Sequence, residues 1–398
     1  MGGARVTGAS PQHRRSLDAM RWDRLTLGIG LGYGLLAWSL GYGAVLPQLR
    51  DDLHLSASVA AAHGSMFGIC LLVFAAFGSR ALAATPPNVT LRLGVISMVA
   101  GGTLFGFGQA PALTLSGAGL TGAGAALIVI VIPGIVFAHQ PLASTQTMAT
   151  LNAFPMVSST LLPLAVSGAA AAALSWRVAY LAPVLLIGIA IAVVIHGAAA
   201  PSIVSEQPVG LAQLFRLEHL TRRWLVLVFG VLVEIGTVTW AASIMRDLGN
   251  ASKGTAASLT IGFFLGMLVG RLGLTRLLSR FDEQRLLHVA FIGSLAFVVP
   301  FLVGPGLAVR VIGLTGLGLC LSPVYPLSVA RLFELHDDAN ALGRAAALGS
   351  GVGVTFGPLL LGALSDVVGL GWATLVLPVF AAGGLITLGR VRPLAVAA

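Results

Sequence analysis

Apolar stretches long enough to cross a bilayer follow one another along almost the whole chain, separated by short polar or proline-bearing breaks. About twenty apolar residues span a hydrocarbon core roughly 30 Å thick. The pattern predicts membrane helices at 25–47, 56–78, 92–110, 112–138, 147–170 and 177–198, then at 224–243, 255–277, 286–303, 306–330, 343–364 and 372–390. No formally charged residue lies between Leu93 and Trp176. The breaks there are placed on Gln109-Ala110-Pro111 and on the polar run from His139 to Gln146, because only two crossings in that interval would each be far too long. The expectation is an all-α membrane protein of about twelve transmembrane helices in two pseudo-symmetric six-helix bundles. Its predicted organisation is a cytoplasmic tail (1–24), an N-terminal bundle (25–198), a cytoplasmic linker (199–223) and a C-terminal bundle (224–398).

Composition agrees. Hydrophobic residues make up 57% of the 398 and charged residues only 9%, too few to cover a soluble domain. The net charge of +9 has a membrane explanation. On twelve alternating crossings, eighteen of the 23 basic residues fall on the side of the N-terminus and the linker. The other five are Arg50, Arg177, Arg246, Lys253 and Arg310. Basic residues are retained on the cytoplasmic side, so both termini are expected there, in a cytoplasmic (inner) membrane. Abundant arginine beside a single lysine, Lys253, points to a GC-rich bacterial genome. The first apolar run is too long for a signal-peptide core and reads as a retained helix.

No basic array suits nucleic acid. Cys70 and Cys320 sit in apolar runs as small core residues rather than as a disulfide or metal pair. No Gly-Lys-Ser/Thr phosphate loop and no metal-ligand spacing occur, so no cofactor and no enzymatic activity are expected. The implied partners are lipid and a small-molecule cargo, with no obligate protein partner.

The halves echo each other. Gly119-Leu120-Thr121-Gly122-Ala123-Gly124 matches Gly313-Leu314-Thr315-Gly316-Leu317-Gly318, and Pro163, Trp176 and Pro183 match Pro358, Trp372 and Pro378. Arg50-Asp51 with Ser56 matches Arg246-Asp247 with Ser252. Six crossings return the chain to its starting side, so the halves are parallel repeats, a transporter plan that binds cargo between them near mid-membrane.

On these residues the chain resembles the major facilitator superfamily over nearly its whole length. The likeness is carried by Leu46-Pro47 with Leu53-His54-Leu55-Ser56, by Trp176-Arg177, by Ser322-Pro323-Val324-Tyr325-Pro326 and by Gly357-Pro358. A narrower likeness, to the fucose permease branch of sugar:proton symporters, rests on Glu234, Trp240, Gly270-Arg271 and Arg280. The resemblance implies alternating access, with a sugar-like cargo and proton coupling from the narrower branch. Two departures stand out. The stretch Gly78-Ser79-Arg80-Ala81-Leu82 lacks the acid of the superfamily's loop signature, and helices one and four carry no acid.

Glu234 is the one acidic residue placed deep in the membrane. A charge at a helix centre costs about 2.5–3.5 kcal/mol on insertion scales, and such residues usually face a water-filled cavity. It is the candidate for proton coupling, the alternative being a structural glutamate. Thr237 lies one turn on, on the same face. Trp240 reads either as a stacking platform for cargo or as an interfacial anchor. Trp38, the repeat mate of Glu234, and Tyr42 read as one face of helix one, towards the cavity or as lipid-facing or packing aromatics. Asn152 with Ser159, and Tyr325 with Ser322, are hydrogen-bonding candidates for cargo or helix–helix glue. His63 reads as a titrating or structural histidine. Glycines 262, 266 and 270, and 349, 353 and 357, form small faces for close helix packing, and prolines 133, 163, 323, 326 and 358 are expected to bend helices. The function expected is secondary uptake of a small organic solute coupled to protons. Proton-antiport efflux of a drug or metabolite is the first alternative and a non-transporting membrane sensor the second. Export is disfavoured because Ser158-Ser159-Thr160-Leu161-Leu162-Pro163 lacks the glycine-rich exporter pattern.

Overall fold

The computed structural model describes residues 21–78, 85–198, 215–217, 219–335 and 339–389. The expected tail to residue 20, the loop bearing Arg80, and Glu206, Gln207 and Glu218 of the linker lie outside the described residues. Twelve helices are long and apolar enough to cross a membrane: α1 (Arg24–Leu53), α2 (Ala57–Phe77), α3 (Pro87–Phe107), α4 (Pro111–His139), α5 (Gln146–Ala171), α6 (Trp176–Val194), α7 (Leu220–Asp247), α8 (Lys253–Leu274), α9 (Glu283–Val303), α10 (Gly306–Phe333), α11 (Ala341–Val368) and α12 (Leu370–Leu388). No strand occurs among the described residues. The first and last described residues lie at one end of the molecule, Trp22 and Asp23 beside Val194 and His196, and Leu388 beside Arg222; this is here the linker end, and the other is the far end.

Local chemistry sets the helix starts. Asp23 accepts the Thr26 amide at 2.8 Å ahead of α1, and Ser56, Ser175, Ser252 and Asp282 cap α2, α6, α8 and α9 in the same way. Pro87 and Pro111 open α3 and α4, where a missing N–H costs nothing.

Five spans are interrupted along their length. The break at Asn152 in α5 lies beneath Pro155, which cannot bond the Leu151 carbonyl. Pro378 does the same to Thr374 in α12, and Pro323 and Pro326 together interrupt α10 around Ser322. In α1 the break is at Leu40-Gly41, and in α8 at Thr260, whose hydroxyl turns back to the Ala257 carbonyl at 2.7 Å. Pro133, Pro163 and Pro358 sit inside continuous helices, so of the prolines expected to bend helices only 323 and 326 coincide with a break.

The internal repeat is visible in three dimensions. His54 and Asn250 take the same left-handed conformation at the far ends of α1 and α7, each followed by its capping serine. A Cβ on Gly117 would stand 2.4 Å from the Phe105 nitrogen, and one on Gly313 would stand 2.3 Å from the Phe301 nitrogen, a like contact one repeat apart. Between α8 and α10 the approach is closer still, since a Cβ on Gly266 would lie 2.0 Å from the Thr315 carbonyl oxygen. The two six-helix bundles meet along three seams, α2 on α11, α1 on α7 and α5 on α8, while α4 and α10 pack within their own halves.

Candidate functional site

At the far end the halves are tied together. The Asp51 carboxylate receives Arg246 at 3.0 Å and Lys253 at 2.6 Å, and Arg50 stands 3.8 Å from Asp247. Arg50-Asp51 and Arg246-Asp247 are repeat mates, so each half offers its base to the other's acid. Asp366 of α11 accepts the Ala57 and Ser58 amides at 2.7 and 2.9 Å, closing the first turn of α2 from across the seam. Gly43 meets the Val238 carbonyl so closely that a Cβ would lie 2.3 Å from it. Towards the linker end the crossing contacts thin out, the seam there running chiefly along α2 and α11, with Leu72 beside Gly351 and Arg344 reaching the Ala75 carbonyl at 3.4 Å.

Beneath the far-end seal, four helices bring polar groups together. Glu234 lies near the middle of α7 and is only half-buried although helices surround it. Its carboxylate has no hydrogen-bond partner among the described residues, and Arg271 of α8 lies within electrostatic reach. Arg271 is equally underused. Its Nε is buried without a partner, and Nη1 has only the Met156 sulfur of the opposite half, at 3.8 Å. Tyr325 of α10, 40% exposed, faces the same pair and has Ser350 of α11 at its hydroxyl. Tyr33 of α1 stands opposite Tyr325 from the other half. An acid, a guanidinium and two phenols thus converge from α1, α7, α8 and α10. Unpaired groups of both signs at such depth have work left for a bound molecule.

A profile of the Major Facilitator Superfamily matches residues 27–328. The chain belongs to the Major Facilitator Superfamily. Its fold and family are those of transporters, so it is a multi-pass membrane protein of the secondary-transport class. No curated protein matches it in sequence. Among solved structures it is similar to the nucleoside transporter NupG, at 10% identity and TM-score 0.73, covering 92% of this chain and 97% of that one. It is also similar to a bacterial homologue of the human lysosomal transporter Spinster, inward-facing and unoccupied, at 14% identity and TM-score 0.70, covering 97% and 100%. At these identities the likeness is one of fold.

Within this superfamily fold the other expected site residues take varied places. Trp38 is 5% exposed and donates its indole N–H to the Tyr180 carbonyl at 3.1 Å. Tyr42 is 1% exposed, edge-on to Phe105 and close to Tyr180. Both belong to packing inside the first half, and the break at Leu40-Gly41 falls between them, so no continuous helical face joins them. Trp240 has no exposed surface; it donates to the Pro358 carbonyl at 3.2 Å, with Arg50 above its ring. Thr237 is fully buried with an unpartnered hydroxyl. Asn152 is exposed at the break in α5, donating to the Met148 carbonyl at 2.8 Å. Ser322 bonds back to the Leu319 carbonyl within α10 at 2.8 Å, and its hydroxyl packs against Gly270 of α8. His63 is buried, with Nδ1 at 3.0 Å from the Val59 carbonyl and Nε2 at 2.9 Å from Thr114. Of the candidates, the structure therefore brings Glu234 and Tyr325 together and leaves Trp38, Tyr42 and Trp240 in packing roles. Arg271, Met156 and Tyr33 complete the group, and the sequence pattern did not mark them as site residues. The signal available for Arg271 was its place in an apolar helix directly after the Gly262, Gly266, Gly270 face.

Proposed function

We propose that this superfamily member takes up a small polyhydroxylated solute, sugar-like in its chemistry, with proton movement carried by Glu234. The observation supporting this is the unpaired Glu234 carboxylate in a half-open space, facing Arg271 and Tyr325. A carboxylate without a fixed partner can take a proton from one side and release it to the other, while Arg271 and the two tyrosines offer donors and aromatic faces to a hydroxyl-bearing ring. Ion pairs and the close approach of Gly43 to Val238 join the halves at the far end. With the linker on the cytoplasmic face of an inner membrane, as the arginine distribution indicates, this is the inward-open member of an alternating-access pair. The cargo path then runs between an N-terminal bundle (25–198) and a C-terminal bundle (224–398).

The test is accumulation in proteoliposomes under an imposed pH gradient. Sugars come first, followed by nucleosides, because NupG is a nucleoside transporter. A transported solute should accumulate with the gradient, and Glu234→Gln should abolish that accumulation while leaving insertion intact. Undiminished accumulation by the variant would remove Glu234 from the mechanism. Accumulation only in everted vesicles would assign efflux by proton antiport instead.

A further inference from the structure

A second cavity lies outside the cargo site, at the linker end of the second bundle. It forms where the starts of α7 and α9 meet the ends of α10 and α12, and it encloses about 270 Å³. Val226, Leu287 and Leu388 give it an apolar flank. Arg222, Arg223 and Arg331 give it its charge, with Ser328 among its lining groups.

Two of the arginines are held in place. Arg222 donates to the Thr387 and Leu388 carbonyls at 2.7 and 2.5 Å, capping α12. Its guanidinium lies over Gly389, whose φ of +69° and lack of a Cβ leave room for it. Arg223 donates to the Arg331 carbonyl and to Glu334 at 2.8 Å. The Arg331 guanidinium makes no hydrogen bond or ion pair with a described residue. Ser328 is 2% exposed and its hydroxyl has no partner. Among the described residues Glu334 and Glu283 are the acids within reach of Arg331, against Arg222 and Arg223, so there three guanidinia stand against two carboxylates.

Like charges gathered in a partly desolvated pocket repel one another, and a buried hydroxyl without a partner is destabilising. One kind of ligand relieves both: an anion with several acceptor oxygens. Guanidinium forks match phosphate in geometry, and basic pockets between membrane helices take phospholipid head groups. We propose that this cavity binds a phosphate group, held by Arg331, Arg222 and the Ser328 hydroxyl, from an anionic phospholipid or a soluble phosphate. The site is independent of the cargo reading.

The experiment uses purified full-length protein in a neutral detergent. Its melting temperature is followed against inorganic phosphate, with sodium chloride at matched ionic strength as control. A parallel arm compares phosphatidylglycerol with phosphatidylcholine. The expected result is stabilisation beyond the control in at least one arm, with half-saturation moving about tenfold higher in Arg331→Gln and in Ser328→Ala. A response to phosphatidylglycerol alone assigns the lipid as the source, and a response to inorganic phosphate assigns a soluble ligand. If Arg331→Gln fails to fold, Ser328→Ala decides, because it leaves every charge in place. No stabilisation in either arm, or an undiminished response in the variants, would overturn the site.

Discussion

Arg271 is the residue whose role changes most between sequence and structure. Along the chain it counts with the basic groups on the linker side and, with Gly270, carries part of the narrower likeness. In space the helix runs on to Leu278, which keeps the guanidinium inside, beside Glu234 and unpaired on its Nε. A hydrogen bond to a charged partner contributes about 1.5–3 kcal/mol, so Arg271→Gln should raise the half-saturating cargo concentration by about tenfold or more in uptake assays. Trp240 argues the other way. Its indole is committed to Pro358 across the α7–α11 seam, so Trp240→Phe should lower stability by about 1 kcal/mol and leave cargo affinity unchanged in binding titrations. Glu234 was legible from sequence because it is the lone acid in a long apolar run. The destination of an indole N–H was not, since it depends on how two distant helices are rotated. Asp23 adds a pH dependence outside the membrane. Burial raises its pKa, but hydrogen bonds from the Thr26 amide and His139 outweigh that and hold it below the ordinary 3.8. A lowered folded-state pKa means that its stabilisation is present above the unfolded value and lost as pH falls through the folded one. Asp23→Ala should therefore melt lower than wild type at neutral pH, and the gap should close on acidification below about pH 4.

At the scale of helices, the spans were readable and the breaks were not. Length and apolarity locate all twelve crossings, with ends no more than six residues from those of α1 to α12. A break requires more than a proline, because the carbonyl it orphans must find somewhere else to go. Pro133, Pro163 and Pro358 are accommodated in continuous helices, whereas Pro155 leaves α5 open at Asn152. A broken helix can bend with little loss of packing, which suits a span on the seam between halves. Pro155→Ala restores the missing donor. It should raise the melting temperature and slow turnover in the same preparation, and unchanged turnover would separate the break from the transport cycle. The glycine faces were legible, because spacing alone puts Gly262, Gly266 and Gly270 on one side. Only the structure shows that their partner is α10, with Thr315 and Leu319 in the groove.

For the molecule as a whole, the sequence repeat carried more information than its letters suggest. Arg50-Asp51 and Arg246-Asp247 lie 196 positions apart, and the fold brings them together as exchanged pairs across the axis relating the halves. These groups remain partly exposed, and such pairs contribute only about 0.2–1 kcal/mol each. Three of them, counting Lys253 on Asp51, amount to roughly a tenfold bias between sealed and open far ends. That is a useful size, because a seal much stronger than this would hold the transporter in one state. Asp51→Asn with Asp247→Asn removes both acids while keeping side-chain shape. Thr239, buried on α7 against Gly43 and Gly64 of the other half, reports on the seam. With Cys70 and Cys320 replaced by serine, a cysteine at position 239 should react with an impermeant maleimide about five- to tenfold faster once the two acids are neutralised. High salt should move the parent protein part of the way by screening the same charges. If neutralisation leaves the labelling rate where it was, the ion pairs are bystanders, and the backbone contact of Gly43 with Val238 and the α2–α11 seam hold the far end shut without them.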